Sequence, residues 1–163
     1  MSVICVQWSW CVAGDRRIGK LREKTAMIEF DRISEGDSLS EVVKGPVDRV
    51  QLALFAGASG DHNPIHLDDE QAAAAGLPGV IVHGMLNMAF LGQLLSQWAG
   101  PARVRNFSNR FGAMAFPGDI ITCRGRVTGK REEGSERLID LEIEAINQNG
   151  ETLLSGKASV AAN

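Results

Sequence analysis

A chain of 163 residues with 44% apolar and 23% charged residues is long enough to form one domain around a real core. Its formal net charge of -3 argues against a nucleic-acid or membrane-surface role, so neither partner is expected. The three cysteines, Cys5, Cys11 and Cys123, make neither an even disulfide framework nor a zinc spacing, which points to free thiols in a reducing, cytoplasmic setting.

Residues 1–26 differ from the rest: they hold Trp8, Trp10 and the basic run RRIGKLREK, with no sustained helical or strand period. The apolar opening VICVQWSWCVAG is too short to span a bilayer and precedes its positive charges, the reverse of a secretory signal. We therefore expect an irregular N-terminal extension over 1–26 that is not native, with the natural start at Met27 and the domain over 27–163. The competing expectation is an arm whose tryptophans pack on the sheet or on a partner.

From Met27 the pattern becomes regular. A strand is expected near Ser38 to Lys44, then a helix over RVQLALFAGAS with Asp48 as its cap. Asp68 to Ala75, DDEQAAAA, reads as a short helix with acids in its first turn, stopped by Gly76; Asp68 and Asp69 are both expected as caps. MLNMAFLGQLLSQWAG is apolar nearly all round, the mark of a buried helix, and Gly100-Pro101 ends it. Strands follow: ARVRNFSNRFGAMAF, a turn at PGD, IITCRGRVTGKRE, a turn near Gly134, RLIDLEIEAINQ, and TLLSGKASVAA after the hairpin signal Asn149-Gly150. Arg103, Arg105, Arg110, Arg124 and Arg126 recur on these segments, as a solvated face or a local anion-binding one. One apolar helix followed by four antiparallel strands implies a curved sheet wrapped around that helix.

The stretch between the first two helices is richer than a turn requires. In GASGDHNPIHLDDEQAAAAG, Asp61 and His66 lie five positions apart with Asn63 and Pro64 between them. A carboxylate and an imidazole on a turn stiffened by proline can both address one water. His62 reads as an exposed loop residue, and His83 as a ring bonded to a backbone group at the start of the apolar helix.

FAGASGDHNPIHLDDEQAAAAG, Phe55 to Gly76, resembles the signature of the MaoC-like dehydratases, which include (R)-specific enoyl-CoA hydratases. It has the aromatic, the small-residue stretch, G-D-x-N-P-aliphatic-H and a helix containing a small residue. VHGML, Val82 to Leu86, resembles the second mark of that family, and GDSLSEVVKGPVDRVQLALFAG and FPGDIITCRGRV are similar to it as well. The resemblance runs from about Phe30 to the end. It implies an α+β hot-dog fold, a long central helix from Gly84 to Trp98 wrapped by a curved antiparallel β-sheet. It also implies a homodimer, or a heterodimer with a related hot-dog subunit.

The resemblance further implies a hydro-lyase interconverting trans-2-enoyl and (R)-3-hydroxyacyl thioesters, carried by CoA or acyl carrier protein, with no cofactor and no metal. It assigns Asp61 and His66 as the catalytic dyad and the Gly84 amide as oxyanion donor. Asn63, Pro64, His83, Met85 and Gly92 would bind substrate or shape the site. Glycine at the start of a helix agrees independently, since free N–H groups and the positive dipole end favour a developing enolate. Gly92 replaces a serine found in some short-chain members, and either opens room for a longer acyl chain or serves close packing. The alternatives are a non-catalytic or weakly catalytic tunnel-forming subunit of a heteromeric acyl dehydratase, and a hot-dog acyl thioesterase.

Overall fold

The structure, a computed structural model, describes residues 28–163, so the boundary at Met27, the apolar opening, Cys5 and Cys11 lie outside the described residues. In chain order the elements are β1 Val42–Lys44, α1 Arg49–Ser59, α2 Asp69–Ala74, α3 Gly84–Ala99, β2 Val104–Phe111, β3 Ile121–Glu133, β4 Glu136–Ile146 and β5 Thr152–Ala162. The strands form one antiparallel sheet in the order β1-β3-β4-β5-β2. One long helix against this sheet is the α+β arrangement expected.

α3 is buried because it has no charged side and meets all five strands. Leu86, Met88, Phe90, Leu91, Leu94, Leu95 and Ala99 lie inside. The strands meet it with alternate residues: Cys123 and Val127 from β3, Leu141 and Ile143 from β4, Ala158 and Val160 from β5. Fully burying one such leucine contributes roughly 1.5–3 kcal/mol, so this interleaving dominates the stability of the fold. The residues between them, among them Arg124, Arg126, Glu142, Glu144 and Lys157, face outward as the period of two requires.

Turns join the strands where expected. Gly134, at φ 61°, links β3 to β4, and Gly150, at φ 81°, lies in the β4–β5 hairpin. That hairpin is held by buried Asn147, whose Oδ1 accepts from the N–H groups of Asn149 and Glu151, both at 3.0 Å. β5 then runs so close to β2 that a Cβ on Gly156 would lie 2.1 Å from the Ser108 carbonyl oxygen.

Two strands are shorter than the sequence suggests. Before Val42 only a bridge from Ser38 to Arg126 continues the pairing, because the chain there bonds to β3 intermittently, through Gly36 and Leu39. The segment expected as strand through Phe116 ends as β2 at Phe111, keeps two bonds to β5 through the N–H groups of Gly112 and Ala113, and then crosses to the residues before α3, where the Ala115 carbonyl accepts from Val82 at 2.8 Å. The five arginines divide between two places: Arg110, Arg124 and Arg126 line one depression on the outer face of the sheet beside Glu142, Glu144 and Lys157, and Arg103 and Arg105 lie together near Glu136. Arg105 is paired with Glu136 and Arg124 with Glu144, while Arg103 sits in a 3-10 turn.

Candidate active site

The connection between β1 and α3 is built from local side-chain-to-backbone bonds. Asp48 caps α1 by accepting from the Gln51 N–H at 2.7 Å, and Gly60, at φ 76°, ends that helix. The Asn63 N–H donates to Asp61 Oδ1 at 3.4 Å, and Asn63 Oδ1 accepts from Ile65 at 3.3 Å. This caps a 3-10 turn, Pro64–His66, with proline at its first position. Asn63 thus closes the turn, and its main chain also steadies Asp61. Asp68 caps α2 through the N–H groups of Glu70 and Gln71.

Asp69, expected as a second cap, has another role. It is the first residue inside α2, and its carboxylate pairs with Arg49 at 2.6 Å and accepts from the Val80 N–H at 3.1 Å. The Arg49 hydrogen bond, followed by that from Val80, holds its carboxyl below the usual value. The pair ties α1 to the segment leading into α3.

The fold brings Asp61 and His66 together. The Nδ1 of His66 lies 2.8 Å from the Ile81 carbonyl, and a carbonyl only accepts, so this nitrogen carries a proton. In the neutral ring Nε2 is then bare, and it faces Asp61 Oδ2 at 3.9 Å. That distance exceeds a hydrogen bond, and both atoms are acceptors. Two acceptors so spaced suit one water donating to both. The Asp61 side chain is 45% exposed and that of His66 9%, so the carboxylate opens to solvent while the imidazole is walled in.

His83 lies beneath them, with 0% of its surface exposed. Its Nε2–H donates to the Asp61 main-chain carbonyl at 3.2 Å, the backbone bond expected of it. Its ring stacks on His66 with centroids 3.9 Å apart, and the edge of Phe55 meets it at 5.0 Å. His83 occupies the N-cap of α3 without capping it, forgoing about 1 kcal/mol. Among the described residues its buried Nδ1 has no partner, a penalty of about 1–3 kcal/mol. Burial pushes the ring below the usual imidazole value, against the bond to Asp61.

Donor atoms of Asp61, His66 and His83 all lie within 4.8 Å of one another. The arrangement does not suit a metal. The stacked rings, 23° apart in plane, send their lone pairs along near-parallel rather than convergent lines.

α3 begins at Gly84, immediately after His83. Among the described residues the N–H groups of Gly84 and Met85 take no acceptor, as at any uncapped helix start. A Cβ on Gly84 would come within 2.9 Å of the Phe111 ring, so glycine lets that ring lie directly over the end of α3. Met85 is half-exposed beside it, and His62 is exposed in the loop. At Gly92 a Cβ would meet Phe107 at an ordinary 3.7 Å, so close packing does not require glycine there. Ile81 and Phe111 belong to the site but carry no sequence signal, one acting through its main chain and the other from a different element.

Among the described residues no helix is long and apolar enough to cross a membrane. The family described as MaoC like domain matches residues 32–149. An (R)-specific enoyl-CoA hydratase from Aeromonas caviae is 35% identical over 112 residues, covering 68% of this chain and 82% of the relative. Fatty acid synthase subunit beta from Aspergillus oryzae is 33% identical over 142 residues, 78% of this chain, and this chain spans 7% of that relative's length. Among solved structures, an unliganded (R)-hydratase from Pseudomonas aeruginosa superposes with a TM-score of 0.72 at 27% identity, over 83% of this chain and 86% of the other.

Proposed function

Because the chain belongs to the MaoC-like dehydratase family, we propose that it is a hydro-lyase interconverting trans-2-enoyl and (R)-3-hydroxyacyl thioesters. The observation that carries this reading is the bare Nε2 of His66 set 3.9 Å from Asp61 Oδ2. A water donating to both presents its oxygen to C3 of the enoyl chain. As the C3–O bond forms, His66 Nε2 takes the proton from water, and Asp61 holds the remaining O–H and steadies the imidazolium. Electron density moves through C2 onto the thioester oxygen. The Gly84 N–H, at the positive end of α3, receives that oxygen. Returning the proton to C2 completes the addition of water and leaves the dyad as it began.

The sequence GMLNMAFLGQLLSQWA of α3 contains no Asp or Glu, which favours this reading over a thioesterase carrying its acid on the central helix. The substrate is an acyl thioester on CoA or on acyl carrier protein. We propose further that the protein acts as a dimer, with itself or with a related hot-dog subunit. Among the described residues β2 pairs only with β5, and Phe111 and Met114 at that side of the sheet are exposed.

The test is hydration of short-, medium- and long-chain trans-2-enoyl-CoA by purified protein, followed as loss of enoyl absorbance, with the (R)-alcohol identified by chiral chromatography. Loss of absorbance with (R) product is expected. No hydration of either CoA or carrier-protein substrates would leave the tunnel-forming subunit as the better reading. Sedimentation showing an active monomer at micromolar concentration would overturn the dimer.

A further inference from the structure

Every other N-cap in the connection to α3 bonds its own turn: Asp48, Asn63 and Asp68 each accept from the backbone N–H of the second or third residue of the element they start. The longest helix alone begins on a residue that does not, since His83 turns its ring inward and leaves the first N–H groups of α3 open. That ring is fully buried, with one nitrogen unpartnered. A local rule broken at such cost, with no gain to the helix itself, marks a residue held for the site.

We propose that His83 is a positioning residue that supports both members of the dyad at once, fixing the Asp61 main chain through its Nε2–H and the plane of the His66 ring through its stacked face. The inference rests on the dyad reading above. Two observations carry it. The bond to the Asp61 carbonyl, 3.2 Å, anchors the residue that bears the carboxylate from the inner side, where its own N–H goes to Ser59 Oγ at 3.2 Å and its Oδ1 accepts from the Asn63 N–H. The stack, 3.9 Å between centroids at 23°, covers one face of His66, and Phe55 backs it at 5.0 Å and 65°. Rotating the His66 ring by half a turn would exchange Nδ1 for a carbon, break the Ile81 bond and point a C–H at Asp61. The stack resists that rotation and so keeps the bare nitrogen facing the carboxylate.

His83 does not itself exchange protons with substrate. Its N–H is committed to a carbonyl, and its other nitrogen is fully buried, unpartnered among the described residues.

Three variants separate the two supports. His83→Gln keeps an amide donor at about the reach of Nε2 and removes the ring. His83→Phe keeps the ring and removes the donor, and His83→Ala removes both. With enoyl-CoA as substrate, kcat should fall on the order of tenfold to a hundredfold in the first two, with KM nearly unchanged, as for a displaced reacting group. The alanine variant should fall further than either. Nitrogen NMR of the His66 ring, which needs no substrate, should show one protonated and one bare nitrogen in the wild type. In the glutamine variant the two signals should move toward each other as the tautomers mix. Turnover near wild type in both the glutamine and phenylalanine variants, or unchanged His66 signals in the glutamine variant, would overturn the proposal. If the wild type hydrates nothing, the proposed activity falls while the NMR result still decides the positioning role. Shifted signals would uphold it and unchanged ones would end it.

Discussion

Between Gly45 and His83 the chain is held by short polar bonds: Asp48 to Gln51, Asn63 to Ile65, Asp68 to Glu70, Asp69 to Arg49 and Val80. From Ile121 to Ala162 it is held by continuous ladder pairing and alternate burial of Cys123, Val127, Leu141, Ile143 and Ala158 against α3. The first region contributes little to the core and carries both members of the dyad. The second gives the core more side chains than any other part of the chain, α3 included, and carries neither. Geometry fixed by a few half-exposed hydrogen bonds can be lost for about a kilocalorie per bond, whereas an interleaved sheet gives way only with the whole fold. Activity and stability should therefore respond to different residues.

The largest effect, and the sharpest separation, is expected at the dyad. Asp61→Asn and His66→Ala should each lower hydration by roughly two to four orders of magnitude while the protein stays folded by circular dichroism. The double variant should lose little more than the worse single one, because both act on one water. Near-wild-type rates in either would break the comparison at its active end.

The opposite outcome is expected in the sheet. Leu141, 1% exposed, should cost about 2–5 kcal/mol of unfolding free energy when changed to alanine. Turnover per folded molecule should be retained. Gly156→Ala, whose Cβ meets the Ser108 carbonyl, should cost about 1–3 kcal/mol by forcing β5 away from β2. A chemical-denaturation series with rates measured well below the transition would show whether the two properties really part.

Asp68→Ala tests the finer claim that polar bonds in the connection serve the site. Losing this cap should cost about 1 kcal/mol of stability. Because α2 packs on the turn carrying His66, kcat should fall by more than that destabilisation explains. A stability loss with an unchanged rate would mean the connection is ordinary scaffold.

The smallest effect is electrostatic. The pKa of Asp69 is lowered in the folded state, so its contribution is fully present above the unfolded carboxylate value of about 3.9 and is lost as pH falls through the lower folded value. Asp69→Asn should leave neutral stability slightly reduced and flatten the acid limb of a melting-temperature profile. Parallel acid limbs for the variant and the wild type would contradict the assignment.

Much of this was legible because the rules involved are local. Asp48, Asp68, Gly60 and Gly150 act within a few residues of themselves, and the apolar run from Met85 to Trp98 has no amphipathic face to misread. What the sequence hid lies at longer range. Asp69 bonds Arg49 twenty positions away, where a capping rule looks only three ahead. The acceptor for His66 is the main chain of Ile81, and any residue could supply it. The stacking of His83 on His66 depends on α3 arriving beside the 3-10 turn, which no spacing encodes. The strand expected through Phe116 still bonds to β5 as far as Ala113, and beyond that only Ala115 is buried, its carbonyl taken by Val82, so the apolar pattern there does not mark a strand.

In the order β1-β3-β4-β5-β2, only β3, β4 and β5 are neighbours both along the chain and in the sheet. Their two hairpins close over a few residues, at Gly134 and at Asn149-Gly150, and such loops form on microsecond timescales. β2 has no such partner: it must wait for β5, with all of β3 and β4 between them, and closing that loop is slower. The meander therefore forms first and β2 docks late. Since β2 brings Phe111 onto Gly84, the reactive end of α3 is completed only in that last step. During refolding the sheet signal should return before turnover does, and the interval between the two is the time β2 takes to find its place.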